Sequence, residues 1–501
     1  MYILGFVLLC VREKYFEKYN YRFKNICTIN VGINIDGLPM SRSSTSSLWP
    51  ILGCVLPYKE VFIIGAYYGS KKPNNCNDFL KNFVEEIIKL INNGVFLCQK
   101  SYNIKIKQIV CDAPAKSFIL NVKGHNINAA KRTNDSFRNE TDENFHLGCT
   151  ILKNIPELHF IENIPLDYMH LLCLGVIRKC FNLWIKGDLK VRLQHYKCQV
   201  LSNKLETVIK QAIPVEFCRK PRSLDYLKQW KATEYRQILL YTGPIVLQDI
   251  LPNDLYYHFL TLYVAARILC CEDLCKKYLD YAEELLKHYV KSFKILYGEH
   301  HVSHNIHGLI HICNDVRIHD TLDSFSAFRY ENFLQEVKKL IRKADKPLQQ
   351  LHRRYVEKNI VAYSAVSYKK DPKIKVLKEH FNGPIIHNCT SPQYKFITTS
   401  GYVIKINDNV NNCCLMSDRS ILKIENIAYC NTRKCLVAIG RKYLIKNDLF
   451  DVPCPSSLID IYVVSDISEL FIYEISDIVN KMLIIPYTNN TSVVIPLLHI
   501  E

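Results

Sequence analysis

Although 21 cysteines are present, no two stand in a CxxC pair, which removes the usual zinc-ribbon and thioredoxin spacings. Long apolar runs are also missing, and none approaches the roughly 20 residues needed to cross a bilayer. Glycine and proline are sparse, at 17 and 19 of 501 residues, so collagen-like and low-complexity chains are excluded. Acidic residues are in deficit, 48 against 65 Lys plus Arg, leaving a net charge of +17. That surplus favours a polyanionic partner, nucleic acid before anionic membrane; the plain alternative is a basic protein without one, since net charge alone specifies no function. What is present is globular: a 48% hydrophobic content rules out a wholly disordered chain. Cysteines scattered through apolar stretches such as Leu171–Cys173 and Ala265–Cys271 read as buried thiols of a reduced, intracellular protein. The apolar opening Met1–Cys10 has no basic residue before it and no small-residue cleavage site after it, so no signal peptide is expected.

Three strand-like runs, Ile26–Ile35, Leu48–Leu56 and Glu60–Tyr68, are followed by a helix expected to be capped by Asn77 and stopped at Asn92-Asn93-Gly94. A fourth strand, Ile104–Cys111, ends at Asp112 and runs into a helical Ala113–Val122. Residues 123–160 are polar and read as an insertion or surface loop. An apolar helix is expected over Asp167–Ile185, helical pattern continues to about 360, and short β-branched runs follow. The expected division is a short segment 1–25, a core over 26–190, a helical region over 191–370 and a small β-rich domain over 371–501. The β-β-β-α-β-α order, with an acidic residue closing the first and fourth strands, is the ribonuclease H-like arrangement, an α/β mixed sheet.

Asn34-Ile35-Asp36-Gly37 and Cys111-Asp112-Ala113-Pro114 each place an aspartate just past an apolar strand. Either alone suits a turn cap. Together they point to a metal site, because two-metal phosphodiester cleavage needs clustered hard carboxylates. Asp167 at the start of the apolar helix is the expected third ligand, with Glu162 as rival, and Asp167 can equally be a helix cap. His170, at i+3 from Asp167, shares its helix face and could orient water or a phosphate, or cap a core contact.

Asn34–Pro50, Cys111–Ala115, Pro165–Gly175 and Arg219–Pro244 resemble transposase-derived proteins of animal genomes, similar to CACTA (En/Spm-type) DNA transposases. His304–Leu340 resembles the helical domain of that family, and Cys413–Ser457 its C-terminal β part. The resemblance implies a ribonuclease H-like DDE/D domain with Asp36, Asp112, Asp167 and His170 at its centre and Mg²⁺ or Mn²⁺ as cofactor. It also implies a metal-dependent DNA endonuclease or strand transferase; the alternative is an inactive relic serving as a DNA-binding or protein-binding scaffold. DNA is the expected partner, not membrane; a homo-oligomer is allowed, and the expected location is nuclear or otherwise intracellular. Two departures stand out. Gly124-His125 passes to Arg132-Thr133 without the family's CxxC knuckle, and only about 25 residues precede the first strand.

His300, His301, His304, His307 and His311 lie close in sequence and make a zinc site conceivable, although buried, hydrogen-bonded histidines are the expectation for His307 and His311. Arg219, Lys220, Arg222, Lys228, Lys231 and Arg236 form one basic group. Lys338, Lys339, Arg342, Lys343 and Lys346 are expected on a helical stripe suited to DNA phosphates, with an ordinary solvated face as the alternative. Trp230 and Tyr235 read as core.

Overall fold

A computed structural model describes residues 26–40, 46–97, 99–124, 132–343, 345–364, 374–399 and 401–498. The segment 1–25, with the Met1–Cys10 run, and His125 lie outside the described residues. The chain divides into two units, one made of 1–171 with 303–369 and the other of 172–302 with 370–501. The region expected to be a helical domain is therefore apportioned between both. Among the described residues no helix is long and apolar enough to cross a membrane.

The first unit is built on strands β1 (Thr28–Ile35), β2 (Leu38–Pro39), β3 (Ser47–Val55), β4 (Val61–Gly69), β5 (Val95–Leu97) and β6 (Lys100–Val110). Their order is β4, β3, β1, β6, β5, with β2 also on β3. β1 runs antiparallel to β3 and parallel to β6. A parallel pair needs a crossover, and α1 (Cys76–Asn93) is part of it, burying Phe79, Leu80, Phe83, Val84 and Ile87. Its cap is Asn75, whose side chain accepts from the amides of Asn77 and Asp78. Asn77, the expected cap, instead sits in the first turn, where its amide group donates to Cys149 O and accepts from Ile151 N. Gly94 ends the helix at φ +64, where an added Cβ would meet Tyr102 O at 2.8 Å.

After β6 the chain turns into α2 (Ala113–Leu120). The stretch expected to be a surface loop carries α3 (Asn134–Arg138) and a 3₁₀ turn at Ile151–Asn154. It also supplies Phe137, Leu152, Ile155, Leu158 and Phe160 to the same core as the sheet. Those apolar residues are too irregularly spaced to show a helical or strand period, which is why the segment reads as polar. α4 (Met169–Ile177) follows with wide, π-type turns, and the chain passes into the second unit within it. It re-enters the first unit to form α5 (Phe328–Leu340) and α6 (Pro347–Ser364).

Helices of the second unit include Arg178–Lys186, Asn253–Cys270 and Glu272–Tyr297. Trp230 and Tyr235 are buried there, as the sequence suggests. The same unit holds β7 (Ile374–His380), β8 (Cys389–Thr399), β9 (Val403–Lys405), β10 (Cys413–Met416), β11 (Ile421–Cys430), β12 (Cys435–Asn447), β13 (Tyr462–Glu474), β14 (Ile478–Thr488) and β15 (Thr491–Pro496). Because β10 pairs with both β14 and β11, the ring β10-β14-β15-β13-β12-β11 closes on itself. Closure leaves these six strands without an open edge, while β8, β7 and β9 extend from β11.

Candidate metal centre

Register decides where the first two aspartates go. In the parallel pair Asn34 lies opposite Val110, so Asp36 and Asp112 leave their strands at the same sheet edge. The Asn34 side-chain amide donates to Val110 O at 2.9 Å and fastens the two strand ends together. Asp112 also caps α2, its Oδ1 accepting from Ala115 N at 2.7 Å. Asp36 Oδ1 accepts from Gly37 N at 2.6 Å.

A third carboxylate comes from Glu331, in the first turn of α5. Its neighbour Tyr330 is buried against the sheet, with its hydroxyl 3.1 Å from Cys54 Sγ. Gly32 leaves the room for that ring: a Cβ there would stand 2.9 Å from the Tyr330 hydroxyl. Tyr355 on α6 adds a second tether, its hydroxyl accepting from Ile63 N at 3.3 Å. With α5 so fixed, ligand atoms of Asp36, His170 and Glu331 all lie within 4.8 Å of one another.

Electrostatics at this cluster are strained. Burial, followed by the Asp112 charge and aided by Glu331, pushes the Asp36 carboxyl up to about 7, against the favourable pull of His170. Glu331 is also raised, first by burial, and it is hydrogen-bonded to Asp36. Burial works against the imidazolium of His170, yet the hydrogen bond and charge of Asp167, with Asp36 and Asp112, outweigh it and hold the ring at about 9. Crowded, half-buried carboxylates of this kind repel one another unless a cation is shared between them.

Asp167 is not among those grouped ligand atoms. Its carboxylate accepts from Met169 N at 3.2 Å, His170 N at 2.9 Å and Ala327 N at 2.7 Å, and bonds His170 Nδ1 at 2.6 Å. With its side chain 1% exposed, it is a bracket between α4 and the start of α5. Glu162 is exposed, and its backbone oxygen lies 2.7 Å from His319 Nε2. Sequence reasoning missed Glu331. The available signal was Tyr330, Leu334 and Val337 at helical spacing, which buries one face of α5 and leaves Glu331 at its border.

The proposed basic stripe is broken. α5 ends at Leu340, and the amides of Arg342 and Lys343 both donate to Gln350 Oε1 in the turn before α6. Lys346 adopts φ +46, outside any helix. Lys339, Arg342, Lys343 and Lys346 are nevertheless exposed. Lys338, on the same helix face as Glu331, reaches Pro39 O at 2.9 Å. The last turn of α5 thus adjoins β2, three residues past Asp36. In the other basic group Arg222 pairs with Glu234 and Arg236 is buried. His304, His307 and His311 are half-buried, with His307 Nε2 and His311 Nε2 3.4 Å apart.

Sign and pH follow from these shifts. A raised carboxyl stabilises the fold while protonated, so the Asp36 contribution is full below about pH 4 and lost as pH rises through about 7. The His170 contribution is full below about pH 6.5 and lost as pH rises through about 9. Metal-free protein at pH 8 therefore holds an unfavourable Asp36 charge. Asp36→Asn is expected to raise the melting temperature at pH 8 in chelator, and a rise on adding Mg²⁺ is expected for the natural sequence but not for the variant. A lower melting temperature for the variant in chelator would contradict this electrostatic picture.

A family described as Domain of unknown function (DUF8592) matches residues 379–497, from the end of β7 to just past β15. The match covers the closed barrel and none of the carboxylate residues. No curated protein matches the chain.

Proposed function

We propose that the first unit is a ribonuclease H-like domain that cuts and joins DNA, descended from a CACTA-type transposase and acting in the nucleus. Supporting this reading, the β4-β3-β1-β6 order puts two aspartates at the ends of a parallel pair and a glutamate from a covering helix beside them. The observation that carries it is the Asp36–Glu331 contact beside Asp112, three carboxylates from separate parts of the chain that repel unless a cation is shared. The donor set fits Mg²⁺ or Mn²⁺, which prefer carboxylate oxygen. Asp36, Asp112 and Glu331 would hold the ions. A metal held there would supply Lewis-acid activation of a water or 3′-hydroxyl and charge stabilisation at the leaving oxygen. Asp167 keeps His170 protonated and aimed at the carboxylates, where the imidazolium offers a hydrogen bond to a phosphate oxygen. Lys338, Lys339, Arg342, Lys343 and Lys346 supply phosphate contacts at the rim.

A scaffold without catalysis is the second reading, favoured by the missing CxxC knuckle between Gly124 and Arg132. Incubating supercoiled and linear DNA with the chain and Mg²⁺ or Mn²⁺ separates them. Metal-dependent nicking or strand joining supports the enzyme; DNA binding with no cleavage in either metal supports the scaffold. For the rim, Lys339→Glu with Lys343→Glu is expected to weaken DNA binding evenly across sequences and to flatten the dependence of log K on log salt by about 2. An unchanged salt slope would assign these lysines to solubility alone.

A further inference from the structure

We infer that Asp188, His300 and His301, in the second unit, form a binding site for a first-row divalent metal ion, zinc by its donor set. One carboxylate oxygen and one nitrogen from each ring lie within 4.8 Å of one another. Two imidazoles and a carboxylate are a common protein ligand set for zinc with further positions open to water. Ligands around a tetrahedral ion with bonds of about 2.0–2.2 Å stand somewhat over 3 Å apart, so small side-chain rotations close the cluster.

The backbone holds this arrangement. His300 and His301 lie in the one-turn 3₁₀ helix Glu299–His301, with their ring centroids 4.1 Å apart. Gly298 precedes them at φ +95, and a Cβ there would fall 2.7 Å from His300 Cε1, so the ring rests directly on the glycine backbone. Asp188 sits in a turn fixed by its own carbonyl, which accepts from Val191 N and Arg192 N. The two turns meet because Trp184 Nε1 donates to the Tyr297 hydroxyl at 3.0 Å, joining the ends of Arg178–Lys186 and Glu272–Tyr297.

Both helices therefore end at the cluster, and their C-terminal carbonyls carry partial negative charge that favours a cation. Burial first, then the His300 and Lys179 charges, lowers the proton affinity of His301 against the pull of Asp188, which leaves its ring neutral and open to a metal. Asp188 and His300 are exposed, so an ion can enter from solvent. The imidazole-rich set suits zinc, whereas the carboxylates around Asp36 suit Mg²⁺. A bound ion would staple the Gly187-Asp188 turn to the Gly298–His301 turn.

Full-length chain carrying Asp36→Asn and Glu331→Gln, stripped with chelator, separates this site from the carboxylate cluster. Zn²⁺ is titrated against a metallochromic competitor, and Co²⁺ by its visible absorption. One equivalent is expected to bind, and to be lost in His300→Ala/His301→Ala; Asp188→Asn is expected to weaken it by more than about tenfold. Circular dichroism checks that the substitutions leave the fold unchanged; if the double variant does not fold, the Asp188→Asn result decides. Failure of the parent to bind zinc, or unchanged stoichiometry and affinity in these variants, would overturn the assignment. Because the parent lacks two of the other carboxylates, the result stands whether or not the chain cuts DNA.

Discussion

Glu331→Gln is expected to lower metal-dependent DNA nicking by about 10³-fold or more, since losing one metal-holding carboxylate removes several kcal/mol of charge stabilisation. Asp36→Asn should do the same. Asp167→Asn predicts a different pattern: its carboxylate takes four contacts at α4 and α5, one of them with the His170 ring beside Asp36 and Glu331. Loss of a supporting partner of that kind costs about 10–100-fold. The variant should also move the upper limb of the pH–rate profile downward, because Asp167 is the main force holding His170 at about 9. Glu162→Gln, at an exposed side chain, should change nicking by less than about twofold, as surface changes away from a site usually do. Comparing all four in nicking assays across pH assigns the third carboxylate. A Glu162→Gln loss matching Glu331→Gln, or a Glu331→Gln enzyme near full activity, would end the proposed ligand set.

Lys481→Met should destabilise the second unit by about 3–5 kcal/mol, the usual cost of leaving one partner of a buried ion pair behind. Lys481 is wholly buried and Glu216 is 8% exposed, with Lys481 Nζ donating to Glu216 Oε2 at 2.8 Å. The ammonium also meets Val403 O at 2.7 Å and Asn411 Oδ1 at 2.6 Å, while Glu216 accepts from Val403 N. Burial lowers the proton affinity of Lys481 and the Glu216 charge opposes that shift. Removing the lysine leaves the Glu216 charge without its cation. Replacing both, Lys481→Met with Glu216→Leu, should recover part of the loss because no unpaired charge remains. Urea unfolding can follow the second unit through Trp184 and Trp230 once Trp49 is changed to Phe. A single-variant loss below about 1 kcal/mol would show that water or relaxation satisfies Glu216.

Local chemistry was legible in the sequence. Strand and helix periods located β1, β3, β4, α1 and β6 to within a few residues, because alternation and 3.6-residue repeats are written by neighbours in the chain. Asp36 and Asp112 were found for the same reason: each follows its own strand in a turn whose residues are adjacent. Asn77 was a narrower error, since two asparagines compete for one cap and only the backbone of Asn75 is extended there.

Everything that depends on distant segments meeting was decided by the tertiary structure. Glu331 lies in an ordinary amphipathic helix and becomes a site residue only because Tyr330 docks over Gly32 beside β1. Asp167 looked like a ligand, and the fold adds Ala327 N, from a distant segment, to the Met169 and His170 groups already on its carboxylate. The stripe from Lys338 to Lys346 failed because α5 stops at Leu340, where Gln350 from α6 takes the free amides. Asp188 could not be joined to His300 and His301 from spacing, because the Trp184–Tyr297 contact that unites their turns spans two helices. The sequence by itself determined which residues end the strands and which face each helix buries. Only the folded chain decided which charges share a site, because burial and mutual repulsion exist only once separate segments are packed together.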